Sequence, residues 1–164
     1  DVYKRQFQEV LEERNAGEVR RLVLCSGKLY YELAERREEL ALSGIALVRV
    51  EQLYPFPHVA LAGVLEGHRE ARRFVWAQEE PENRGALRYL RQVLAEHFPA
   101  VRFEFVSRPA SASPAVGSHR LHAEEQARVV DQALGVGEEE PAAPAPRSSA
   151  GSGQRNRSRS GRSK

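Results

Sequence analysis

The chain has 164 residues, with 25 Lys and Arg against 23 Asp and Glu, one Cys, one Trp and no Met. That length admits one ordinary domain and excludes a large multidomain enzyme. A single Cys excludes an intramolecular disulfide framework and a multi-cysteine zinc site, and fits a reducing compartment.

Residues 1–19 read as a connector, with Phe7, Val10 and Leu11 available to pack on a neighbour. The start at Asp1, with no Met anywhere, suggests a piece of a longer protein. No signal-peptide core follows, and no run approaches the ~18 apolar residues that span a bilayer. Leu22-Val23-Leu24-Cys25 is an uncharged run, typical of a strand covered on both faces. Leu29, Leu33, Ala34, Leu40 and Ala41 then recur at helical spacing, and Ser43-Gly44 is expected to close that helix. Ile45–Val50 is the second strand. Pro57 suits the start of a helix carrying Leu61, Val64 and Leu65 that stops near Gly67.

Phe74–Ala77 gives a third strand. Asn83 is placed to cap a helix whose apolar stripe is Leu87, Leu90, Leu94 and Phe98. Val101–Val106, with Arg102 and Glu104 alternating through it, suits a strand at a sheet edge. Ser118 is placed to cap a last helix with Ala123, Ala127, Val130 and Leu134 inside. Strand starts 24–29 residues apart are the spacing of consecutive βα units. The expected fold over 20–134 is therefore an α/β, three-layer Rossmann-like domain with a mostly parallel sheet.

From Gly135 the apolar periodicity stops. Glu138-Glu139-Glu140 leads into Pro-Ala and then Ser/Gly/Arg sequence, which cannot bury enough apolar surface to offset its entropy, so 135–164 reads as a disordered tail. Residues 1–134 carry 19 basic and 20 acidic side chains, whereas the tail carries six and three, so the basic pI belongs to the tail. Arg155, Arg157, Arg159 and Arg162 could neutralise RNA phosphates. A solubilising role is the simpler reading, because no aromatic is present there to stack on a base.

In open α/β sheets, ligands sit beyond the carboxyl ends of the strands. Four loops leave those ends here: 26–28, 52–57, 78–83 and 107–118. Ser26-Gly27-Lys28 opens a helix and could hold an anion, although it lacks the glycine-rich run of a P-loop; simple capping is the alternative. Arg108 could clamp a carboxylate or phosphate beside the Pro- and Ser-rich loop that contains Ser111 and Ser113. The alternative there is a rigid crossover. Ser26, Lys28, Arg108, Ser111, Ser113 and His119 form the candidate anion or effector set. Tyr54, Phe56, Glu79, Glu80 and Asn83 are candidate interface residues. His119 and His122 have no ligand partner at metal-site spacing, and Cys25, with no base nearby in sequence, reads as core.

Four blocks occur in order: Leu24–Tyr31 (LCSGKLYY), Val48–Pro57 (VRVEQLYPFP), Trp76–Asn83 (WAQEEPEN) and Arg108–Ala115 (RPASASPA). Together they resemble the C-terminal domain of 2-oxoglutarate dehydrogenase E1 components, over residues 20–134. The second and third blocks, in looser form, also mark the C-terminal domains of transketolases and of other 2-oxo acid dehydrogenases. The fourth points to the 2-oxoglutarate branch, which includes the similar 2-oxoadipate enzymes. Ser107 stands where a Gly is usual, and the Ser/Arg tail is unlike the family terminus.

The resemblance implies a transketolase C-terminal-like fold within an enzyme that binds thiamine diphosphate and Mg²⁺. That enzyme decarboxylates 2-oxoglutarate and passes the succinyl group to lipoyl groups on E2. It implies a homodimer in the bacterial cytoplasm or the mitochondrial matrix, with the cofactor and catalytic residues upstream of this chain. Within these residues the implied roles are dimer completion and effector binding. A free-standing α/β module that binds a nucleotide, an acyl-CoA or a protein partner is the alternative on residues alone.

Overall fold

Alternate residues along each central strand serve opposite layers. Leu22, Leu24, Val48, Val50 and Trp76 join one apolar cluster, while Val23, Cys25, Leu47, Val75 and Ala77 join another. A sheet hydrophobic on both faces must be covered on both, and here the period-2 alternation divides the covering helices into two pairs. The computed structural model describes residues 8–13, 17–112 and 119–138.

The strands are β1 (Val10–Glu12), β2 (Arg21–Cys25), β3 (Ile45–Val50), β4 (Arg73–Pro81) and β5 (Phe103–Arg108). The helices are α1 (Leu29–Glu39), α2 (His58–Gly67), α3 (Leu87–His97) and α4 (His119–Leu134). One five-stranded sheet runs in the order β1-β3-β2-β4-β5. All its pairings are parallel except that of β1 with β3. Helices α2 and α3 contribute Leu61, Val64, Leu87, Leu90 and Leu94 to the Trp76 face. Helices α1 and α4 contribute Leu29, Leu33, Val130, Ala133 and Leu134 to the other. Each such Leu, taken from water to full burial, contributes roughly 1.5–3 kcal/mol before entropy.

The expected α/β fold stands, with β5 at the edge, and five local expectations change. β4 runs on to Pro81, past the expected end at Ala77, so Glu79 and Glu80 lie on the strand and not in a loop. Val10–Glu12 is a strand of the chain's own sheet, with Val10 opposite Val50. Its flank is tied down by the carboxylate of Glu13, which accepts from Arg37 at 2.6 and 2.9 Å, and by Glu12, 2.6 Å from His68. Three residues are too few to show a period, and the pairing is purely tertiary.

Helix α1 ends before Ser43-Gly44, because Ala41 takes the left-handed position (φ 49°) that closes it. Its N–H bonds the Glu38 carbonyl and that of Leu42 bonds the Arg37 carbonyl, each at 3.0 Å. Asn83 does not cap α3; Ala86 holds that position with no side-chain cap bond. Finally, the described chain runs past Leu134 through a turn at Gly135 (φ 75°) to Glu138, whose carboxylate pairs with both Arg21 and Arg73. Phe7, Ser113, Ser118 and the tail from 139 onward lie outside the described residues.

Candidate functional site

The parallel strands deliver their carboxyl ends to one rim, where contacts join Lys28, Glu79, Asn83, Arg108 and Ser111 of three sequence-selected segments. Lys28 occupies the N-cap of α1 without a side-chain cap bond, and Ser26 just before it is half-buried. The Lys28 ammonium lies 2.6 Å from the Glu79 carboxylate and 3.5 Å from Glu32. The bond from Glu79 is the main cause that raises the Lys28 pKa above its ordinary value. The first loop is therefore joined to the end of β4 by an ion pair.

Arg108 ends β5 and is 8% exposed. Its Nε donates to the Glu79 carbonyl at 2.5 Å, and its Nη1 lies 3.2 Å from His122 Nδ1 and 3.7 Å from Glu125. A buried guanidinium requires such partners, since an unpaired buried charge is costly. The group that could have clamped a ligand instead joins β4, β5 and α4.

Asn83 and Ser111 form a two-point clamp. Asn83 Nδ2 donates to the Ser111 carbonyl at 3.0 Å, and the Ser111 N–H donates to Asn83 Oδ1 at 3.1 Å. Arg84 adds a bond to the Ala112 carbonyl at 2.9 Å. Beneath this, Gln78 is 3% exposed, and its Nε2 donates to the carbonyls of Glu80, Pro81 and Arg84 at 3.3, 3.3 and 2.9 Å. Gln78 thus braces the end of β4, which carries Glu79 and Glu80, against the turn that carries Asn83. In the sequence it was one polar residue in an acidic loop, and only its burial reveals that role.

The candidate interface residues divide. Tyr54 is 82% exposed and lies 6.3 Å, edge to face, from Tyr89. Val59, the second residue of α2, is 75% exposed. Phe56 points inward to the chain's own core at 9% exposure. Glu80 is exposed and Glu79 is half-buried against Lys28. His119 is the first residue of α4, and its side chain falls outside the described residues. Cys25 is fully buried, and burial pushes its thiol up to about 12, which suits core and not a nucleophile. Among the described residues, no group of three or more His, Cys, Asp or Glu is placed to hold a metal ion. No helix among them is long and apolar enough to cross a membrane.

This three-layer arrangement is that of a transketolase C-terminal-like domain. A solved structure of a split-gene transketolase, an inactive β4 tetramer, superposes with a TM-score of 0.58 at 18% identity, over 80% of this chain and 43% of that one. A finer relationship comes from sequence. The 2-oxoglutarate dehydrogenase C-terminal family matches residues 1–134, and the chain belongs to that family.

The 2-oxoglutarate dehydrogenase E1 component of Cupriavidus necator is 41% identical over 138 residues, covering 82% of this chain and 14% of the relative. That of Brucella anthropi is 47% identical over 125 residues, covering 73% of this chain and 12% of the relative. The chain thus spans about a seventh of the length of the curated relatives it matches.

Proposed function

We propose that this chain serves as the C-terminal domain of a 2-oxoglutarate dehydrogenase E1. Such an enzyme decarboxylates 2-oxoglutarate oxidatively and transfers the succinyl group to lipoyl groups of the E2 succinyltransferase. Thiamine diphosphate and Mg²⁺ are bound by other parts of that enzyme, in the bacterial cytoplasm or the mitochondrial matrix. The single observation that carries this reading is the family match running through every described strand and helix.

Within the enzyme, the domain's contribution is assembly of the homodimer. Tyr54 and Val59 present apolar surface on a rim whose polar groups are largely engaged with one another. Expression of the reading frame that contains residues 1–164 together with its upstream coding sequence tests both parts. The expected product is a dimer by light scattering that reduces ferricyanide with 2-oxoglutarate. Tyr54→Ser with Val59→Ser should weaken the dimer. A product that binds no thiamine diphosphate and turns over no 2-oxoglutarate would remove the assignment.

Effector binding at the same rim is a second, separable reading, favoured by the 66% exposure of the Lys28 side chain. An anion arriving there has to displace the Glu79 carboxylate. Calorimetry with AMP and acetyl-CoA is expected to give heat that Lys28→Gln abolishes. Equal heat in wild type and variant would exclude Lys28.

A further inference from the structure

The opposite rim, at the amino ends of the strands, holds a site that no sequence motif announces. Arg20-Arg21 leads into β2 and Arg72-Arg73 leads into β4. Because β2 and β4 are parallel neighbours in register, Arg21 stands opposite Arg73. The Arg20 carbonyl accepts from the N–H groups of Arg72 (2.8 Å) and Arg73 (3.2 Å), which fixes the two pairs side by side. Like charges placed directly opposite on adjacent strands are destabilising unless an anion lies between them. All four arginines line one open cavity of about 240 Å³, and Glu138 supplies a carboxylate among the described residues of its wall.

Two glycines shape the cavity around the guanidinium groups. Gly44 has φ 72°, and a Cβ there would meet Arg20 Nε at 3.0 Å. Gly135 has φ 75°, and a Cβ there would run into the Arg21 guanidinium. Arg21, 8% exposed, donates to the Ala133 carbonyl at 3.2 Å and to the Glu138 carboxylate. Arg73 grips Glu104 with two nitrogens, at 2.8 and 2.5 Å, and turns its third toward the same oxygen of Glu138. Two guanidinium forks from different strands thus converge on one carboxylate oxygen, which marks where an oxyanion sits.

We propose that this cavity binds a compact oxyanion carrying at least two negative charges, and that Glu138 holds its place when the ligand is absent. Guanidinium forks match phosphate and carboxylate geometry. A larger, more highly charged group reaches the part of the cavity wall that Arg20 and Arg72 share with that pair. Glu138 sits three residues beyond the left-handed Gly135, on the turn that leaves α4. Its release therefore leaves the α4 stripe undisturbed.

Calorimetry on the 164-residue chain at low ionic strength, with inorganic pyrophosphate as the probe, tests the site. Saturable one-to-one binding is expected, weakening with added salt. Glu138→Gln, close in shape and lacking the charge, should tighten it several-fold. Arg20→Gln combined with Arg72→Gln should weaken it by roughly tenfold or more, the equivalent of one charge-assisted bond. Citrate in place of pyrophosphate separates the two chemical sources: binding by citrate alone assigns a polycarboxylate, and binding by pyrophosphate alone assigns a phosphate ligand.

Silence with both probes in wild type and in Glu138→Gln overturns the proposal, as does binding that the double arginine variant leaves unchanged. Glu138→Gln keeps the test decisive if the arginine variant fails to fold.

Discussion

The two rims of the sheet differ in how their charges are handled. At the carboxyl rim Lys28, Arg108 and Asn83 are each engaged internally: Lys28 with the Glu79 carboxylate, Arg108 with the Glu79 carbonyl, and Asn83 with the backbone of Ser111. At the amino rim four arginines line one cavity, and two of them, Arg21 and Arg73, converge on the Glu138 carboxylate. The first arrangement makes a rigid surface suited to contact with other protein. The second keeps cationic donors gathered around space.

Glycines at the two rims break this comparison most sharply. Gly27 and Gly135 have similar left-handed φ values, 61° and 75°. Around a Cβ on Gly27 there is open space, whereas one on Gly135 meets Arg21. Gly27→Ala should cost only the conformational strain, about 1–2 kcal/mol. Gly135→Ala should add the loss of Arg21's bonds to Ala133 and Glu138, for a total of about 2–4 kcal/mol. Urea denaturation followed by far-ultraviolet dichroism measures both. Equal costs would show that the amino-rim cavity is not held by Arg21.

At the carboxyl rim, Asn83→Ala should lose the clamp on the 108–112 segment, about 1 kcal/mol of local stability. Faster hydrogen exchange at the Ser111 amide, with the amides of β4 unchanged, would confirm it. An unaltered Ser111 amide would mean that Arg84 and the backbone suffice.

The smallest effect concerns Glu104. The bond from Arg73 is the leading cause that holds its carboxyl below the ordinary value of 4.5. The pair therefore contributes its full stabilisation above that pH and loses it as pH falls further, through the folded value. Glu104 is more than a third exposed, so Glu104→Gln should destabilise by less than about 1 kcal/mol at pH 7. Wild type and variant should converge in strong acid. A constant difference across pH would place the effect in packing and not in charge.

The sequence made the central layers legible because burial imposes a period. Ile45–Val50 is read to the residue, and the uncharged 22–25 run marks a strand covered twice. It could not reveal β1, whose three residues are strand only because Val50 and Val48 pair with them. Nor could it show that Asn83 prefers the backbone of Ser111, 28 positions away, to the start of α3. The carboxyl-rim loops were found by general topology, and the resemblance to one enzyme family rested on the same blocks. The amino-rim cluster was missed for a definite reason. Arg20-Arg21 and Arg72-Arg73 are ordinary dipeptides until parallel register lays them together.

The most direct test of the contrast is a titration of the uniformly ¹⁵N-labelled 164-residue chain with inorganic pyrophosphate, followed by amide chemical shifts. Saturable shifts should appear at Arg21, Gly44, Arg73, Gly135 and Glu138, while Lys28, Arg108 and Ser111 stay still. Shifts confined to Lys28, Arg108 and Ser111 would contradict the account, placing the anion site at the carboxyl rim after all.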